Sequence, residues 1–256
     1  MCLSGDLSHT NSCSVDVSGS LAQDIPPLFP APLDLFREFH DLYQSPGSPD
    51  LRITLQLWAD AFPNCADLGS ALLWIAAFAR FINENSSKPH FWREDKVTYI
   101  MFLALHHVLS LERLALRQNN KPELVMREVV RLTLVVFIGN FKLRLTIPRG
   151  GSINSYRNKV MTLMMDPSVD WSLFLNLRLW VLVVCGVGPP QAGTETAWYV
   201  AEIVVAMLRM GLTGWRSAMD MVREFIWIDE VATYEVQGLG AKIESQFAGS
   251  MSQQLS

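Results

Sequence analysis

The chain has 256 residues, half of them hydrophobic and 18% charged, with a formal net charge of −4. With eight Trp and thirteen Phe to bury, this composition excludes overall disorder and calls for a sizeable core without help from metal or disulfides. Basic residues occur only as scattered pairs such as Arg157 and Lys159, so the stripe that neutralises phosphates is missing and direct nucleic-acid binding is not expected.

Residues 1–49 are rich in Ser, Asp, Gly and Pro and are expected to be mostly extended or mobile, because such a stretch buries too little surface to offset its ordering entropy. Within it, Leu33, Phe36, Phe39 and Tyr43 recur at helical spacing and predict a short amphipathic helix near 33–43. That helix either docks on the main domain or serves as a partner-binding peptide. No basic-then-apolar leader occurs between Met1 and Ser20, so secretion is not expected.

From residue 50 to 236 the pattern is helical, which predicts one helical domain. Asp67 is a candidate cap for a helix running to Asn85, with Leu68, Leu72, Ile75, Phe78 and Ile82 on one face. Helices are expected next at 94–118 and, opened by Pro122, at 122–145, before Pro148-Arg149-Gly150-Gly151 breaks the chain. Four more follow at 152–164, 172–186, 195–210 and 214–228. Leu132 to Ile138 is β-branched enough for a strand but lies inside a longer helical pattern. The Gly-, Ser- and Gln-rich residues 237–256 are expected to be a flexible C-terminal tail. The fold class is all-α: a multi-helix array of about seven to nine helices behind a mobile N-terminal segment.

The strongest apolar runs, Leu132 to Phe141 and Leu179 to Val187, fall short of the roughly 20 residues that cross a bilayer. They are also flanked by Arg131, Lys142 and Arg178, so no membrane partner is expected. Cys2, Cys13, Cys65 and Cys185 form no C-x-x-C pair, which fits a reducing compartment, and Cys185 in its apolar run is expected to be a core residue. His106 and His107, being adjacent on a helix, point about 100° apart and cannot face one metal together. There is no nucleophile elbow and no phosphate loop, and Asp229-Glu230 is expected to be a solvated helix end. No catalytic, cofactor-binding or metal residue is assigned.

Residues 171–229 carry the most specific signal. Leu175 to Val187 includes Arg178, Trp180 and Gly186; a Pro/Gly loop follows, then Trp198, then Gly214-Trp215, and finally Phe225-Ile226-Trp227-Ile228-Asp229. Three consecutive helices thus carry Trp180, Trp198 and, at the start and end of the third, Trp215 and Trp227; the four indoles are expected to anchor one cluster, with Glu195, Glu202 or Asp229 pairing Arg178. This order of features resembles the fungal-specific transcription factor domain, the C-terminal regulatory domain of fungal zinc binuclear cluster regulators. In that family an R-x-W-V-L-x-x-G-G-type helix is followed by a W-containing helix, a further W and an F-L-W-x-D-type ending. The matching positions are Arg178, Trp180, Gly186, Trp198, Trp215, Phe225, Trp227 and Asp229, with Cys185 where Gly is common and Ile226 for Leu. The six-cysteine cluster and its basic residues are lacking in this chain.

The resemblance implies nuclear residence and a part in transcription regulation, particularly of metabolic gene clusters. It implies protein partners, whether a second copy or a full-length regulator, in place of direct DNA contact. The alternative expectation is a helical sensor whose Trp- and Met-rich core encloses a small apolar effector.

Overall fold

The computed structural model describes residues 16–31, 47–113, 121–142, 153–187, 194–230 and 233–254. Among these there are ten helices and no strand. In chain order they are α1 (16–23), α2 (Pro49–Ala61), α3 (Ala66–Asn85), α4 (Asp95–Ser110), α5 (Pro122–Lys142), α6 (Ile153–Met164), α7 (Leu175–Gly186), α8 (Thr194–Arg209), α9 (Trp215–Phe225) and α10 (Thr233–Gln254).

Local chemistry sets where several of these begin and end. Ser48 caps α2, its hydroxyl accepting from the Leu51 N–H at 3.1 Å, and Pro49 occupies the first turn, where its missing N–H costs nothing. Pro122 opens α5 in the same way. α3 starts one residue before Asp67, which accepts from the neighbouring Leu68 N–H and pairs with Arg127 instead of capping. α4 stops at Ser110, short of the sequence expectation of 118, because Leu111 turns to extended backbone.

α5 and α7 form the centre. Every residue of α5 from Val125 to Gly139 is buried, and so is every residue of α7 from Leu179 to Gly186. A helix that is apolar all round must be surrounded. Accordingly α5 packs against α3, α4, α6 and α7, while α7 also packs against α2, α8 and α9. Residues 132–138 are therefore helical, since neighbours on all sides supply the partners that their β-branched side chains need. Among the described residues, one helical segment, Pro63–Asn85, has the length and hydropathy that would suffice for a bilayer span, not either of the two apolar runs singled out in the sequence; half of its apolar window is buried inside the protein.

Two peripheral segments depart from the sequence reading. Residues 237–254 belong to helix α10, which docks on α8 through Leu239, Ile243 and Phe247, an i, i+4, i+8 stripe hidden among Gly, Ser and Gln. At the other end, residues 16–31 lie on the helical body with Val17 and Leu21 fully buried. The helix expected near 33–43 and the break at 148–151 lie outside the described residues.

Candidate functional site

The Trp-bearing motif occupies α7, α8 and α9 together with the extended residues after α9. Trp180 is completely buried in the middle of α7, its ring centroid 5.6 Å from Phe225 and 6.1 Å from Phe137. Its indole N–H donates to the Ile226 carbonyl at 2.7 Å, tying the first element of the motif to the last. The ending is held from a third direction by Asn83 of α3. The Asn83 amide donates to the Trp227 carbonyl at 2.8 Å, and its oxygen accepts from the Asp229 N–H at 3.1 Å, as a paired strand would. Asp229 itself is exposed and accepts from Arg223 at 2.9 Å, a solvated pairing at a helix end.

Arg178 is half-buried and pairs with Glu202 of α8, one of the three acids expected from the sequence. Burial, with a second cation at Arg209, lowers the Arg178 pKa, while Glu202 works against that shift. Gly186 ends α7 where α8 and α10 converge: a Cβ there would lie 3.2 Å from Leu239 and 3.5 Å from Ile203, so the close approach of α10 needs the missing side chain.

The four indoles belong to one hydrophobic core, Trp180 and Trp227 buried in it and Trp198 and Trp215 packed against it, but they do not stack on one another. Trp180 faces Phe225 and Phe137, Trp198 meets Tyr199 edge-on at 4.9 Å, and none of the four makes ring contact with another. Trp215 and Trp227 instead line an open groove of about 610 Å³ between α9 and α10, together with Met219, Arg216, Val236 and Glu244. Short loops do bring the helices together, but the Trp positions face different neighbours around α9.

Beneath the motif lies a polar arrangement that sequence reasoning did not find. Arg157 of α6 is 4% exposed and donates to the Cys185 carbonyl at 2.6 Å, placing a cation at the C-terminus of α7, where the helix dipole favours it. Tyr199 donates to the Arg157 carbonyl at 2.8 Å. Cys185 lies 3.8 Å from the Thr133 hydroxyl, and burial pushes its thiol pKa up to about 11. Burial likewise drives the Tyr199 phenol well above its ordinary value. The Cys185 thiol and the Tyr199 phenol are thus held in their protonated forms, which suits structure more than acid–base exchange at neutral pH. The only sequence signal was a charge, Arg157, at a position where the helix pattern required burial.

His106 and His107 diverge as expected. His106 lies 2.8 Å from the Phe29 carbonyl, while His107 stacks on Trp74 at 5.4 Å with its pKa lowered by burial and then by His106. Among the described residues no group of three or more His, Cys, Asp and Glu could hold a metal ion. No family model matches the chain, and neither a curated protein nor a solved structure matches it.

Proposed function

We propose that this chain is a regulatory or interaction module of a fungal transcription regulator, acting in the nucleus through protein partners and without a catalytic step. What supports the reading is the ordered set Arg178, Trp180, Gly186, Trp198, Trp215, Phe225, Trp227 and Asp229 and its resemblance to the fungal-specific transcription factor domain. The observation that carries it furthest is the Trp180 N–H bond to the Ile226 carbonyl, because it makes the two ends of the motif one packed unit. In such a module the buried half of each helix holds the shape and the outer faces meet the partner.

The test is a tethered reporter. The whole chain is fused to an unrelated DNA-binding domain in fungal cells that carry its binding site upstream of a reporter gene. The expected result is reporter output raised or lowered relative to the DNA-binding domain alone; equal output at equal protein level refutes the reading.

A second reading, a sensor for a small apolar effector, is favoured by one feature, the groove beside Trp215 and Trp227. Its volume falls in the range of small-molecule sites, and two indoles supply flat apolar walls. A thermal-shift screen of planar apolar compounds checks it: hits must be lost in Trp215→Ala for the groove to be their site.

A further inference from the structure

Three cations converge on one carboxylate at the edge of the helical body. Asp24 follows α1 and receives Arg131 of α5 at 3.0 and 3.3 Å and Lys159 of α6 at 3.1 Å, with Arg113, just past α4, at 3.5 Å. Arg131 is completely buried and also holds Glu128 at 2.7 and 2.8 Å. Three cations therefore meet at two carboxylates, Arg131 fully buried, Arg113 mostly buried and Lys159 half in solvent. Among the described residues, Nη1 of Arg131 and Nη2 of Arg113 are buried with no hydrogen-bond acceptor, so the carboxylates there do not exhaust the donors.

The occupant comes from residues 16–31, outside the central helices. Residues 16–31 are held by Val17 and Leu21, by the Tyr156 hydroxyl donating to the Leu21 carbonyl, by Arg113 donating to the Asp24 carbonyl at 2.8 Å and by His106 at Phe29. Asp24 has φ 53°, the left-handed residue that ends α1, with the Ile25 N–H donating back to the Ser20 carbonyl at 3.1 Å, so the helix ending turns its carboxylate toward the cations. The cleft opens to solvent on one side, where Lys159 is 53% exposed.

We propose that this cleft, formed by Arg113, Arg131 and Lys159, is a carboxylate-binding site that Asp24 fills in cis, so that residues 16–31 act as a displaceable internal ligand. A carboxylate-bearing molecule from outside competes for the same donors, and its binding releases the segment from α5 and α6. Guanidinium forks suit planar carboxylates, and the buried setting strengthens each bond relative to water. The proposal is independent of the transcriptional reading, because it concerns a different face of the molecule and a different chemistry.

The test is chemical rescue in the full chain. Asp24→Gly removes the carboxylate and also relieves the left-handed backbone. The variant is expected to melt below wild type and to regain about 3–5 °C in sodium formate at ten times its dissociation constant, relative to sodium chloride of equal ionic strength. Equal melting in formate and chloride overturns the proposal. A second measurement uses the wild-type chain and does not depend on the variant folding. Amide hydrogen exchange at Leu21 to Phe29 is expected to quicken with formate and not with matched chloride; exchange that ignores formate overturns the proposal as well.

Discussion

Replacing Trp180 with Ala tests whether the α7–α9 contact holds the domain together. The indole is fully buried, packs on Phe137 and Phe225, and donates to the Ile226 carbonyl. Truncating a buried Trp costs about 3–5 kcal/mol in lost transfer energy and residual cavity. Leaving the Ile226 carbonyl without its donor adds about 1 kcal/mol or more at a buried position. The sum, roughly 4–6 kcal/mol, is a large share of the 5–15 kcal/mol typical of a whole domain. For a chain of this size it corresponds to a fall in melting temperature of about 10 °C or more. Urea denaturation followed by circular dichroism at the helical band reads the change, with an unchanged slope showing that the same surface is exposed. Trp180→Phe keeps a ring against Phe225 but loses the N–H together with part of the indole volume, so its expected cost is intermediate, about 1–3 kcal/mol. A Trp180→Ala loss below about 1 kcal/mol with full helicity would refute the reasoning, since a cavity of that size cannot be nearly free.

Two glycines of α10 make a matched pair. Gly238 is exposed with open space around it, so Gly238→Ala is expected to stabilise by about 0.5–1 kcal/mol; Gly240→Ala gains the same helix propensity yet drives a Cβ into the Trp215 indole, so it is expected to destabilise. Thermal melts of the two variants check the sign of each. Cys65 and Cys185 are buried, with both thiols pushed upward by burial, so in a Cys2→Ser, Cys13→Ser background neither is expected to react with a thiol reagent at neutral pH until denaturant is added. Rapid modification of the native protein would contradict this packing. Burial alone would raise the Asp24 pKa, but Arg131 and Lys159 together hold it below the ordinary 3.8. A depressed folded-state pKa contributes stability that is present above 3.8 and lost as pH falls below it. The stability gap between wild type and Asp24→Asn is therefore expected to close in acid below 3.8, and a gap that stays constant there, measured by urea denaturation, removes the ion-pair assignment.

The sequence read most clearly where one helix carried its own evidence. Pro122 and the run to Phe141 announced α5, and the acids near Arg178 included its actual partner, because periodicity and first-turn chemistry are local. α10 was misjudged for the same reason: Leu239, Ile243 and Phe247 are spaced for a helix, but Gly, Ser and Gln between them weaken every local score, and only docking on α8 makes the helix worth forming. The motif positions were visible as spaced indoles, while the directions in which they point were not, since ring contacts depend on crossing angles that spacing does not encode. Asp24 was hidden more completely, a single acid in a Pro-rich stretch whose cationic partners lie 89, 107 and 135 residues away.

By itself, then, the chain determined its class: abundant apolar side chains at helical period and turn residues between them admit helices, and periodicity is a property each segment carries alone. Which helix lies at the centre, where Arg157 and Arg131 find acceptors, and which segment covers the cationic cleft were decided only by the tertiary structure. A buried charge is tolerable only against partners brought from distant sequence, and their arrival depends on how all the helices pack together.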